Sequence, residues 1–221
     1  MKLPPKLITT LGVFLIISGL VLAGYPAWLW VEGRLEQNRL AREFAGNEPA
    51  LVPDDYFPGE WERPRLSRVE TPLELPEYTD FPATKVIIPK INVEAFVVKV
   101  TDLGVFARRS NQPPGYYPHS AFPGEVGNVA IAGHRGGPAG FFRNLDRLKE
   151  GDLIILRTNG FDYNYTVERV WITNPNDWQV VESTDYAALT LTTCEPVGTN
   201  TSAMRLIVRA IFRDVVANDG T

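Results

Sequence analysis

Cysteine and histidine are almost missing from this chain, with one Cys and two His among its 221 residues. A lone thiol excludes an internal disulfide, and no grouping of His, Cys and carboxylates stands at metal-ligand spacing, so neither a disulfide framework nor a metal centre is expected. Basic residues are not in excess. Lys and Arg number 22 against 26 Asp and Glu, a net charge of −4, which leaves no electrostatic footprint for nucleic acid. No internal repeat or low-complexity tract is present. Charge is absent from Leu7 to Val31, a run long enough to cross a bilayer as a helix, with Tyr25, Trp28 and Trp30 at its far end like an interfacial belt. Lys2 and Lys6 precede the run with no acidic residue, whereas Glu32, Arg34, Glu36 and Arg39 mix signs beyond it. The positive-inside rule then places the N-terminus in the cytoplasm and the remainder outside. A cleaved signal peptide ending near Val21-Leu22-Ala23 is the rival, but the apolar run continues past that point.

An unpaired cysteine on an extracytoplasmic chain needs a reason to be there. Cys194 ends the run Leu189-Thr190-Leu191-Thr192-Thr193-Cys194-Glu195-Pro196, which alternates apolar and hydroxyl residues and reads as a strand stopped by proline. Two readings stand: a nucleophile, or a buried structural thiol. An attacking thiol needs an imidazole partner, and His134 sits at the end of its own apolar run, Asn128-Val129-Ala130-Ile131-Ala132-Gly133-His134-Arg135. His119, in Tyr116-Tyr117-Pro118-His119-Ser120, reads as a solvated loop residue. Arg205 and Arg209 share one face of the strand-like run Met204–Phe212, where each could serve a site or simply carry a solvated charge.

The runs TLTTCEP, NVAIAGHR, RLIVRA and KVIIPKINVEAFVV, with PGEVGNVAIAGH and FFRNLDRLKEGDLI flanking the histidine, together resemble the sortases over roughly residues 84 to 213. These are membrane-anchored cysteine transpeptidases of bacterial surfaces, and the TLTTC and HR features look nearest to classes D and E. The resemblance implies a catalytic set of His134, Cys194 and Arg205. It implies a thiolate attack on the Thr carbonyl of a Leu-Pro-x-Thr-Gly-like signal and transfer of the acyl group to an amine, with no cofactor. The implied partners are surface proteins with C-terminal sorting signals, an amine of a peptidoglycan precursor or a pilin, and membrane lipid through the N-terminal helix. Thr193 could donate its hydroxyl to substrate, although threonine is also an ordinary strand former. Two other functions are weighed: an L,D-transpeptidase or other surface cysteine peptidase, whose cysteine surroundings differ, and an anchored β-module for adhesion with an inert Cys194.

The expected fold is all-β: a closed eight-stranded barrel with short helices, preceded by one transmembrane helix. Strands are predicted at about 84–89, 92–100, 128–133, 153–158, 161–171, 178–182, 187–194 and 204–213, and a short helix at 138–148 with Phe141, Phe142, Leu145 and Leu148 facing the core. Asn159-Gly160 predicts a two-residue hairpin turn with positive φ at both positions. The expected segments are residues 1–31 as cytoplasmic tip and anchor, 32–82 as stalk and Pro-rich linker, 83–215 as catalytic domain and 216–221 as tail. Leu35, Leu40 and Phe44 at loose helical spacing allow the membrane helix to continue as a stalk. Beyond it Pro49, Pro53, Pro58, Pro64, Pro72, Pro76 and Pro82 favour an extended spacer. A sharper possibility is that Asp54, Asp55, Tyr56, Phe57 and Trp61 fold back as a lid, as in pilus-building sortases, though the Asp-Pro-aromatic order of such lids is absent here.

Overall fold

A computed structural model of the chain describes residues 5–46, 80–108, 111–137, 139–197 and 204–218. The lid residues Asp54 to Trp61 and the Pro-rich spacer up to Tyr78 lie outside them. Eight strands close into a barrel: β1 (Thr84–Ile88), β2 (Val93–Lys99), β3 (Gly115–Tyr116), β4 (Gly127–Ala132), β5 (Leu153–Arg157), β6 (Phe161–Thr173), β7 (Ala187–Glu195) and β8 (Met204–Ala217). Their order around the barrel is β1-β2-β3-β4-β7-β8-β6-β5, with β5 returning to β1. The pairs β2/β3 and β4/β7 are parallel and the rest antiparallel. Alternation drives the outer strands: in β1, Val86 and Ile88 point into the core while Lys85 and Ile87 are half exposed. By contrast every residue of β4 is buried, which is why its sequence reads as a continuous apolar run and not as an alternating one.

Three expectations need correction. The predicted strand at 178–182 is a single 3₁₀ turn, Trp178–Val181. Side chains capture its carbonyls: Asn128 donates to those of Val180 and Glu182, and Arg209 to that of Val180, so no neighbouring strand is needed. The strand that closes the barrel is instead β3, two residues long and too short to carry a pattern. The helix expected at 138–148 is a series of turns with one 3₁₀ segment, Leu145–Arg147; Gly140 and Asn144 interrupt any longer helix, yet Phe142, Leu145 and Leu148 are buried as the apolar stripe required. In the Asn159-Gly160 hairpin only Gly160 takes a positive φ, of 94°, so the turn is not the type with both positions left-handed.

A six-residue helix, α2 (Leu103–Arg108), also escaped the pattern because it is shorter than two turns; Asp102 caps it, accepting the Gly104 N–H at 2.7 Å.

The N-terminal helix α1 (Pro5–Gly46) runs unbroken for 42 residues. Among the described residues no helix is long and apolar enough to cross a membrane, many side chains of the expected span being outside them. The far half of α1 lies on the barrel. β3 covers β2 only at Val98 and Lys99, and just beyond that ladder the Gln37 amide pairs with the exposed backbone of Phe96, donating to its carbonyl and accepting its N–H at 2.8 Å. Phe44, buried, packs its ring 5.5 Å from that of Phe96.

Candidate active site

β7 builds the floor of the site. A strand with both faces covered must satisfy any polar side chain it carries, and its three threonines, all buried, each do so with a different neighbour. Thr190 donates to the Asn128 side chain at 2.7 Å, Thr192 bonds the Tyr117 hydroxyl at 2.7 Å, and Thr193 donates to the Gly133 carbonyl at 2.7 Å. The Thr193 hydroxyl, which the sequence offered to substrate, thus ties β7 to the turn before His134. One step further along, Cys194 is half-buried with a free thiol.

His134 follows β4 by two residues. The parallel register sets Ala132 beside Thr192, and the Gly133 N–H continues it by bonding the Thr192 carbonyl at 3.0 Å, so the next side chain, His134, is delivered beside Cys194. Two aromatic rings fix this turn. Phe106 of α2 stacks on the imidazole, centroids 4.9 Å apart and planes 11° from parallel. Phe142 lies against Gly133 so closely that a Cβ there would meet its ring at 2.3 Å, which explains the glycine before the histidine. The Phe142 N–H also bonds the His134 carbonyl at 3.1 Å. His119 is exposed in a turn with φ 65°.

Arg205 is the antiparallel register partner of Cys194. Directly opposed residues share a face with Cβ atoms roughly 5 Å apart, so the two side chains leave the sheet as neighbours, and Arg205 Nη1 donates to the Met204 carbonyl at 3.1 Å. Arg209 stands opposite Thr190, four residues or about 13 Å along the strand, and spends a donor on Val180. The structure therefore gathers His134, Cys194 and Arg205 at one end of β4, β7 and β8, and leaves His119 and Arg209 elsewhere.

Two further neighbours carry no signal in the sequence, and a third, Arg135, is legible there only as the second residue of the HR pair. Tyr117, in what looked like a plain loop, forms a wall of the site: burial raises the pKa of its hydroxyl, the Thr192 bond and the Arg205 charge oppose that rise, and Cys194 adds to it. Phe106 reaches the site only because α2 folds. Arg135 follows His134 into the interior and is almost inaccessible, at 4%. No group of His, Cys, Asp and Glu able to hold a metal occurs among the described residues. A groove of about 510 Å³ between α1 and β2, lined by Glu36, Arg39, Phe81 and Lys99 among others, includes none of the three gathered residues.

The sortase-domain family model matches residues 86–212, more than half of the chain. This chain belongs to the sortase family. Sortases are cysteine transpeptidases, and the observed closed barrel is theirs. Sortase A of Bacillus anthracis is 28% identical over 207 residues, covering 88% of this sortase and 90% of that protein. Among solved structures, the Sortase D5 transpeptidase of Clostridium perfringens is 31% identical with a TM-score of 0.51, covering 60% of this chain and 79% of its own. Sortase E of Streptomyces avermitilis is 27% identical with a TM-score of 0.53, covering 62% and 91%. Family membership sets aside the L,D-transpeptidase and adhesion-module readings.

Proposed function

We propose that this sortase cleaves a Leu-Pro-x-Thr-Gly-like sorting signal between Thr and Gly and joins the Thr carboxyl to an amine. The observation that carries the reading is the pairing of Cys194 with Arg205 across β7 and β8, at the strand end where β4 delivers His134. The Cys194 thiolate attacks the Thr carbonyl carbon, forming a C–S bond and a tetrahedral oxyanion. Arg205, on the same face, supplies fixed donors and charge to that oxyanion. As the C–N bond to Gly breaks, the departing nitrogen takes a proton from the His134 imidazolium, leaving a thioester. The acceptor amine then attacks the thioester carbonyl, gives its proton to His134 and releases the thiolate.

The substrates are surface proteins bearing C-terminal sorting signals, and the acceptor is an amine of a peptidoglycan precursor or a pilin. The uncharged run Leu7–Val31 anchors the enzyme in the cell membrane with its N-terminus cytoplasmic and the barrel outside. Incubation of the full chain in detergent with a panel of sorting peptides and amines tests the reaction: a peptide-amine adduct and a trapped thioester on Cys194 are expected, and simple absence of both across the panel overturns it. Turnover by Cys194→Ser comparable to wild type removes the thioester route.

A further inference from the structure

We propose that Arg135 is a positioning residue for this reaction, holding the turn that presents His134 against the strand end that presents Cys194, with Glu195 as its counter-ion. The guanidinium is buried, and its five N–H groups must be satisfied. Nη1 donates to the Cys194 carbonyl at 3.3 Å and pairs with the Glu195 carboxylate; Nη2 meets Asp146 at 3.1 Å; Nε donates to the Arg143 carbonyl at 3.3 Å. One side chain therefore joins the histidine turn, the turn at 143–146 and the end of β7.

The placement in the chain gives these contacts their consequence. Thr193 and Gly133, the residues immediately before Cys194 and His134, are bonded to each other. Glu195 and Arg135, the residues immediately after, form an ion pair. The two reacting residues are thus bracketed on both sides by cross-ties, and the later tie is the stronger in kind, since a fork-shaped guanidinium in a shielded position fixes direction as well as distance. The β4/β7 ladder ends at Ala132 and Thr192, and beyond it these ties, together with the Gly133 N–H bond to the Thr192 carbonyl and the Phe106 ring on the imidazole, set the separation of imidazole and thiol. Asp146, half exposed, contributes less to the clamp than Glu195, whose side chain is mostly shielded.

The proposal rests on the roles given above to Cys194 and His134, and the test separates the two. Full chain in detergent is assayed with a quenched fluorescent Leu-Pro-x-Thr-Gly peptide as wild type, Arg135→Gln, Arg135→Lys, Glu195→Gln, the Arg135→Gln/Glu195→Gln double variant, Cys194→Ala and His134→Ala, each with its thermal transition. Arg135→Gln is expected to lower kcat by about 10- to 100-fold with KM within about threefold, because misplacement of the reacting groups slows chemistry more than binding. Arg135→Lys should recover less than about a third of the loss, an ammonium being unable to span four partners. Glu195→Gln, close to isosteric and so expected to fold even where Arg135→Gln does not, should lower kcat by about three- to tenfold, and the double variant should be no worse than Arg135→Gln alone. Wild-type kcat in folded Glu195→Gln beside inactive Cys194→Ala and His134→Ala, losses that multiply in the double variant, or a loss confined to KM overturns the clamp. Wild-type turnover by Cys194→Ala or His134→Ala overturns the underlying reading instead.

Discussion

Gly133→Ala is the smallest change that should disable the site without touching any reacting group. The added Cβ would stand 2.3 Å from Cδ2, 2.6 Å from Cε2 and 2.7 Å from Cγ of Phe142. Ordinary carbon contacts begin at about 3.5 Å, so ring and backbone must separate by roughly 1.2 Å. The ring cannot swing away, because Phe142 is fully buried in the main core cluster. The backbone is no freer: the Gly133 N–H is bonded to Thr192 and its carbonyl accepts from Thr193. Overpacking of this kind costs about 1–3 kcal/mol, and about 2 kcal/mol lowers the thermal midpoint of a chain this size by about 4–8 °C. Catalysis should suffer more, since a 1 Å displacement of His134 relative to Cys194 is worth on the order of 100-fold in kcat. Differential scanning calorimetry and kcat on a sorting peptide measure the two effects. Adding Phe142→Leu should relieve the contact, so that the double variant is less destabilised than the sum of the singles by about 1 kcal/mol. A Gly133→Ala enzyme that melts within 1 °C of wild type and turns over within about twofold of it, or single effects that simply add, would refute the reasoning.

Other outcomes follow from the same geometry. Arg205→Ala should cost at least about 100-fold in kcat, with Arg205→Lys restoring little of it, whereas Arg209→Ala should stay within about fivefold and instead speed amide exchange across 178–182; steady-state kinetics and hydrogen-exchange mass spectrometry read the two. His134→Ala should abolish acyl transfer in a product assay and His119→Ala should leave it near wild type, since only the former lies at the Cys194 strand end. The Tyr165 hydroxyl is fully buried and accepts the Gly124 N–H, and burial raises its pKa far above the ordinary value of 10.0. The folded state then keeps a proton that the unfolded state loses: its contribution is intact below about pH 10 and falls above it by about 1.4 kcal/mol per pH unit. Urea denaturation at pH 8, 10 and 11 should show that decline, and Tyr165→Phe should flatten it.

Strand periodicity made most of the barrel legible because the strands are long and their burial alternates, as in β1 and β5, or is continuous, as in β4. What stayed hidden depends on contacts between distant segments. Val180 and Val181 invite a strand assignment, yet their segment curls because Asn128 and Arg209, some 30 to 50 residues away, take its carbonyls. β3 has two residues and no pattern to read, and α1's seat on the barrel depends on meetings of distant residues, the Gln37 amide with the uncovered backbone of Phe96 and the Phe44 ring with that of Phe96.

At the site the residue types were legible and the restraints were not. Cys194, His134 and Arg205 are visible as a thiol, an imidazole and a guanidinium near strand ends, but which arginine faces the thiol is a statement about register. In the sequence the threonines of β7 read as strand formers with one offered to substrate. In the fold they answer the register question. β7 is shared by a parallel ladder with β4 and an antiparallel one with β8, so a slip of one residue would turn Cys194 to the other face of both. Apolar packing alone resists such a slip weakly here, because β7 is buried on both faces and would bury apolar side chains in either register. The hydroxyls do not tolerate it: Thr190 to Asn128, Thr192 to Tyr117 and Thr193 to Gly133 are three bonds to three different residues, and because a one-residue shift can seat only one of the adjacent Thr192 and Thr193 in the other's place, at least two of the three bonds are lost with their groups buried. The polar residues of the strand therefore select the one register in which Cys194 meets Arg205 and His134.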